Sequence, residues 1–191
     1  MNKDIDRIRS WKPYKGDLRW FEEQSSLEEV WDKCEEPSCL FFICRAEKAL
    51  NLKKEQSVAI AIAVASRALD KYEAFRQDDD RPRKAIEAAQ AWLDNPTEDN
   101  VVVAVFAASY AAYAANAANA ARAARNAACA VAHPATSYDT VSAAYAAHAA
   151  AYSTYDADAA AYSIVRVNEQ KAHADIFRSI VPNPFKQQTK E

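Results

Sequence analysis

From Leu27 onward the apolar positions recur in steps of three and four. Leu27, Val30, Trp31 and Cys34 stand at i, i+3, i+4 and i+7, the spacing of one helix face. Ahead of them Ser26-Leu27-Glu28-Glu29 has the form of a capping box, in which a Ser side chain and a Glu three residues on satisfy free helix N–H groups. Glu35-Glu36-Pro37-Ser38 ends that helix. The run Cys39–Cys44 (CLFFIC) is apolar throughout and would suit a buried strand by composition, but its continuation into Arg45-Ala46-Glu47-Lys48-Ala49-Leu50 predicts a helix. Ser57 is expected to cap the next helix, which runs to about Arg76 with Ile62, Ala65, Leu69 and Tyr72 as its buried stripe. Asp78-Asp79-Asp80-Arg81-Pro82 reads as a loop opening a further helix. Its proline suits a first turn, where no N–H is needed, and its aspartates meet the positive end of the helix dipole. Ile86, Ala89 and Leu93, with Trp92 alongside, face inward until Asn95-Pro96.

Thr97-Glu98-Asp99 then opens a stretch of different texture. In Ala104–Ala132, 17 of 29 residues are alanine, and from Tyr110 to Arg125 a larger residue recurs every third position: Tyr110, Tyr113, Asn116, Asn119, Arg122, Arg125. Alanine loses no side-chain rotamer freedom in a helix, and no Gly or Pro interrupts. Three residues advance a helix by about 300°, so the large residues wind around the axis and alanine faces most directions. This predicts a central post that neighbours can approach closely. His133-Pro134 ends it. A last long helix is expected from Ser137 or Asp139 to about Ile180, with Tyr138, Tyr145 and Tyr152 in one row and Val141, His148, Tyr155 and Tyr162 in the other, the seam of a helix packed lengthwise on another. The two small-residue rods are expected to lie against each other, with Pro182 and Pro184 ending the second.

The fold class is therefore all-α: a single-domain multi-helix bundle with an Ala-rich central helix and a long Tyr-rich C-terminal helix. An aromatic and basic segment at 1–24 precedes the bundle domain, 25–181, and a C-terminal tail, 182–191, follows, expected to be frayed over Lys186–Glu191. One glycine in 191 residues agrees with a fold free of tight sheet turns. The net charge of −3 gives no basic field for duplex nucleic acid. Residues 1–20 nevertheless carry Lys3, Arg7, Arg9, Lys12, Lys15 and Arg19 against three acidic residues. Cys34, Cys39, Cys44 and Cys129 contain no CxxC and read as small buried hydrophobes rather than metal ligands. The opening MNKDIDRIRSWK lacks the apolar segment of a signal peptide, and the polar residues within the Ala-rich stretches speak against a membrane span. A cytoplasmic protein with no metal or cofactor is expected.

The most distinctive local run is Asp78–Leu93, DDDRPRKAIEAAQAWL. It resembles the DDRPRKAIEAA-x-AW motif of a family of immunity proteins from bacterial polymorphic toxin systems, also found in phage genomes. SLEEVWDKC at Ser26–Cys34, the apolar run Leu40–Ile43 and the alanine-heavy C-terminal half are similar too, so the resemblance spans about Leu18 to Ala172. The family motif maps onto Asp79, Asp80, Arg81, Pro82, Arg83 and Trp92. The resemblance implies an all-helical fold, no catalysis, and neutralisation of a toxin by binding. The chain departs from the family in its low Gly and Trp content over Glu35–Ile43 and in its dense tyrosines from Tyr110 to Tyr162.

Two candidate sites follow. Arg81, Arg83 and Lys84, close to a helix N-terminus, could hold an anion; the same run also reads as a capped helix start with its arginines paired to nearby carboxylates. Arg122 and Arg125, the only formal charges between Asp99 and Asp139, would need partners if buried. Asp156, Asp158 or the aspartates at 78–80 would serve. Alternatively the pair, with Asn116, Asn119, Tyr145, His148 and Tyr152, would form a pocket for a small nucleotide, since aromatic stacking contributes about 1–3 kcal/mol per base. His133, His148 and His173 show no ligand spacing, and no nucleophile elbow or phosphate loop is present. The leading expectation is a non-enzymatic protein that occludes a protein toxin or defence effector, with the Arg81–Arg83 helix start and the aromatic N-terminal segment as contact regions. Sequestration of a nucleotide signal is the second reading, and a structural or homo-oligomerisation module the third.

Overall fold

The computed structural model describes residues 3–13, 15–47, 50, 52–115 and 159–186. Among the described residues there are eight helices and no strand: α1 (Lys3–Ser10), α2 (Lys15–Glu22), α3 (Leu27–Lys33), α4 (Pro37–Ala46), α5 (Lys54–Phe75), α6 (Arg81–Asp94), α7 (Glu98–Ala115) and α8 (Ala159–Ile180). The chain is all-α, as its periodicity predicts. None of these helices is long and apolar enough to cross a membrane.

The interior is built around α5. Val58, Ile60, Ala61, Ile62, Val64, Ala65, Ala68, Leu69 and Tyr72 are all buried, so burial extends well beyond the predicted stripe of Ile62, Ala65, Leu69 and Tyr72. One side of α5 receives α6 and another receives α8, which also crosses α4. Arg67 of α5 fixes the second contact, its Nε and Nη2 donating to Glu169 of α8 at 3.0 and 3.3 Å. At the far end of α8 an aromatic cluster closes the core. Phe177 meets Phe41 edge-on at 4.7 Å between centroids and Trp31 at 5.7 Å, and Trp31 meets Phe185 at 6.1 Å, within the range where edge-to-face ring pairs attract.

Of the expected Ala-rich post, Ala104–Ala132, the described residues reach only Ala115. Over Glu98–Ala108, α7 packs chiefly on α6 through Ala104 and Ala108, while Val102, Val103, Val105 and Phe106 are exposed. A methyl group removes little apolar area from water, whereas the branched side chains of α5 remove much more, and among the described residues α5 supplies the longest run of buried apolar side chains.

Leu27, Val30, Trp31 and Cys34 are buried together as predicted. Ser26 caps α3, accepting the Glu29 N–H at 3.2 Å, but the Glu29 carboxylate turns to the N–H and hydroxyl of Ser25, so only half of the capping box forms. The Leu27 N–H, one of the first-turn amides that no intrahelical carbonyl serves, donates to Asp4 of α1 at 3.1 Å. CLFFIC is helical, although α4 ends at Ala46. Ser57 is no cap. The helix begins a turn earlier, where the Lys53 N–H donates to Gln56 Oε1 at 3.0 Å, and Ser57 is buried with no partner for its hydroxyl. The segment 1–24 belongs to the core, since Ile8 and Phe21 are fully buried. The chain after α8 is docked through Lys186: Phe185 is buried, Asn183 Nδ2 donates to Glu28 O and Asp32, and Lys186 pairs with Asp32 at 2.8 Å.

Two substitutions separate these contributions. Phe177→Ala leaves a void in the aromatic cluster and is expected to cost about 3–5 kcal/mol. Ser57→Ala removes a buried hydroxyl without a partner and is expected to stabilise the fold by about 1 kcal/mol. Urea unfolding of the three proteins reads both.

Candidate functional site

The charged run at the start of α6 is organised by Asp79. Its carboxylate accepts the Arg81 backbone N–H at 3.2 Å, Arg81 Nε and Nη2 at 2.7 and 2.6 Å, and the Tyr72 hydroxyl at 2.5 Å. Arg83 forks onto Glu73 of α5, with Nε at 2.7 Å, and Lys84 pairs with Asp80 at 2.7 Å. The capped helix start with carboxylate-paired arginines is thus the arrangement adopted. An anion at Arg81, Arg83 and Lys84 would have to displace these carboxylates. Of the three aspartates, Asp79 is the one that meets a first-turn amide; the N-cap residue Asp80 makes no side-chain cap. The Arg81 hydrogen bonds hold Asp79 well below the ordinary carboxylate range, and burial with the Asp79 hydrogen bond pushes Tyr72 up to about 12.

The neighbouring hairpin of α6 and α7 presents a different surface. Asn100 fixes the connection: its N–H donates to Thr97 Oγ1 at 3.3 Å, and its Nδ2 donates to Asn95 O at 2.8 Å and Ala91 O at 3.2 Å, which satisfies carbonyls at the end of α6. With Ala104 and Ala108 turned to α6, the opposite side of α7 carries Val102, Val103, Val105 and Phe106, exposed by 52%, 53%, 41% and 61%. Glu98 and Asp99, exposed in the first turn of α7, and Asp94, exposed at the end of α6, flank the turn of the hairpin. Sequence reasoning missed the surface because VVVAVF at Val101–Phe106 has no helical period. The legible signal was the small-residue pair Ala104 and Ala108, four apart, which marks the packed side and leaves the bulky residues outside.

A third feature lies where α2 faces the corner between α3 and α4. Arg178 of α8 donates through Nη1 to the carbonyls of Trp31 and Cys34 at 3.2 and 2.6 Å, a cation on the last carbonyls of a helix, where the dipole favours it. Beside this cap, Gly16, Asp17, Trp20, Cys34, Glu36 and Cys39 help line a cavity of about 310 Å³. Among the described residues no group of three or more His, Cys, Asp or Glu is placed to hold a metal ion.

Asn116, Asn119, Arg122, Arg125, Tyr145, His148 and Tyr152 lie outside the described residues, as do Asp156, Asp158 and the segment where the two small-residue rods were expected to meet. Of the N-terminal aromatics, Phe21 is buried, and Trp11 and Trp20 are partly buried against the core. That segment therefore serves the bundle's interior.

The depressed Asp79 predicts a pH signature. A carboxyl group held lower in the folded chain than its unfolded value of about 3.9 contributes stability that is complete above that value and lost as pH falls through the folded one. Glu29, pulled down to about 2 by hydrogen bonds from Lys33 and Ser25, adds to the loss over the same range. Urea unfolding from pH 7 to below 3 is expected to show stability falling from about pH 4 downward. Asp79→Asn should start lower at pH 7 and fall less steeply.

Compared with protein-family models, curated proteins and solved structures, the chain gives no match in any of the three.

Proposed function

We propose that this chain is a non-enzymatic binding protein of the immunity-protein type, which neutralises a protein toxin or effector by covering part of its surface. The observation that carries the reading is the outer face of α7, where four large apolar side chains stand in solvent on a helix anchored from behind. Contiguous exposed apolar surface marks a place where another molecule docks. Phe106, the largest and most exposed of the four, is the natural anchor, since binding energy concentrates in a few central side chains. Asp94, Glu98 and Asp99 flanking the hairpin turn suit a partner whose apolar patch is edged by lysine or arginine, and such charges accelerate encounter and fix orientation. Occlusion of this kind needs no nucleophile, general base or cofactor. The resemblance of Asp78–Leu93 to immunity proteins supports the same reading, with α6 acting as the support on which α7 is mounted rather than as the contact itself.

The test uses the protein encoded beside this chain's gene, purified in an inactive form and mixed with the full chain on size exclusion. A stable complex is expected, with Phe106→Asp weakening it about 30-fold or more, the loss of one anchor of about 2 kcal/mol, and leaving the melting temperature of the free chain unchanged. Full affinity in the Phe106→Asp and Val103→Asp variants would overturn the assignment of the face. A nucleotide-dependent rise in melting temperature that disappears in Arg122→Ala would replace the reading with nucleotide sequestration. A defined homo-oligomer dispersed by Phe106→Asp, with no complex formed, would make the face a self-contact.

A further inference from the structure

The corner between α3 and α4 brings two thiols together. Cys34 is the residue on which α3 ends and Cys39 lies in the first turn of α4. One carbonyl oxygen ties them: Glu36 O accepts Cys34 Sγ at 3.3 Å and the Cys39 backbone N–H at 3.0 Å. Both side chains line the same cavity against α2. Neither is in a disulfide, and their exposure differs: Cys34 is buried, whereas Cys39 is partly open to solvent. A reagent in the cavity therefore reaches Cys39 first and finds Cys34 behind it.

The surroundings set the reactivity. The neighbouring Cys34 thiol, burial, and the carboxylates of Asp17 and Glu36 all disfavour a Cys39 thiolate and hold the thiol above its usual range. Glu35 adds a further carboxylate to the cavity wall, and among the described residues Lys33 is the one cation there, already paired with Glu29. Cys44, fully buried at the other end of α4, is pushed up to about 12 by burial alone and has no such opening.

We propose that Cys34 and Cys39 form an intramolecular disulfide by exchange with a small disulfide such as oxidised glutathione, which makes this corner a reversible modification site. Cys39 gives its proton to solvent and its thiolate attacks one sulfur of the oxidant; the oxidant's S–S bond breaks and one glutathione leaves as a thiolate. Cys34 then loses its proton and attacks Cys39 Sγ, the mixed disulfide breaks, and the second glutathione leaves. Each leaving thiolate takes up a proton, so two electrons pass from the cysteine pair to the oxidant, giving one cystine and two glutathione thiols. The bond closes a short loop, Glu35–Ser38, so it removes little entropy from the unfolded chain. Its main effect is to pin α3 to α4 across one wall of the cavity. The inference is independent of any partner on α7.

The full chain, incubated with oxidised glutathione, alkylated, digested and weighed by mass spectrometry, tests this. The expected product has lost two hydrogens, carries a peptide cross-linked between Cys34 and Cys39, and keeps Cys44 and Cys129 open to alkylation after denaturation. Its formation should accelerate about tenfold per pH unit below the thiol's own pKa, as the thiolate fraction does. Cys34→Ala should stop at a single glutathionyl group on Cys39, and Cys39→Ser, a change at a partly exposed position, should give no bond. Circular dichroism confirms that both variants fold. Four alkylatable thiols after oxidation, a glutathione adduct that persists on Cys39 of the unsubstituted chain, or cross-links that instead engage Cys44 or Cys129 would each overturn the proposal.

Discussion

Trp31, Phe41, Phe177 and Phe185 come from α3, α4, α8 and the segment after it, and they meet edge to face at centroid distances of 4.7 to 6.1 Å. Short helices such as α3 and α4 are too brief to hold their conformation alone. They persist because their apolar faces are shared with this cluster and because the chain end locks onto them. Arg178 caps the carbonyl end of α3, Asn183 and Lys186 hold Asp32, and Asp4 occupies the opposite end. Remote segments thus supply what the local sequence of α3 lacks.

The second constraint is charge. At the start of α6, Asp79 serves a backbone amide, a guanidinium and a phenol at once, and Glu73 takes the fork of Arg83. A run that looks free in the sequence is consumed in joining α5 to α6. The two arginines of the first helix are similarly engaged, Arg7 with Glu47 and Arg9 with Glu22. By contrast α7 carries an exposed apolar face with acidic residues at its hairpin end, which is why the proposed contact moves from the Arg81–Arg83 helix start to α7.

Helical periodicity made most of the fold legible. Leu27 to Cys34, the α5 stripe and the inward side of α6 follow from spacing alone, and the proline and asparagine punctuation located the ends of α6 and α8. Three things were not legible, each for a physical reason. Ser57 reads as a cap because serine caps well, yet a glutamine reaching back to Lys53 starts the helix earlier and leaves the serine inside. Glu29 fits a capping box, but Ser25 offers it both an N–H and a hydroxyl. The alanine count drew attention to Ala104–Ala132 and away from α5, where among the described residues Val58, Ile60, Ile62 and Val64 supply much of the buried apolar area. The candidate site was less legible still, because a run of apolar residues without a period does not say which side will be covered.

The attachment of α7 through Ala104 and Ala108 has a consequence for how such a protein changes over time. The residues that hold the helix in place and those that it displays are different residues, on opposite sides, and the hairpin is clasped by Asn100 rather than by anything on the outer side. Val102, Val103, Val105 and Phe106 can therefore be exchanged for other side chains without disturbing the scaffold beneath. A lineage obliged to keep pace with a changing antagonist would find its new specificities there, one substitution at a time.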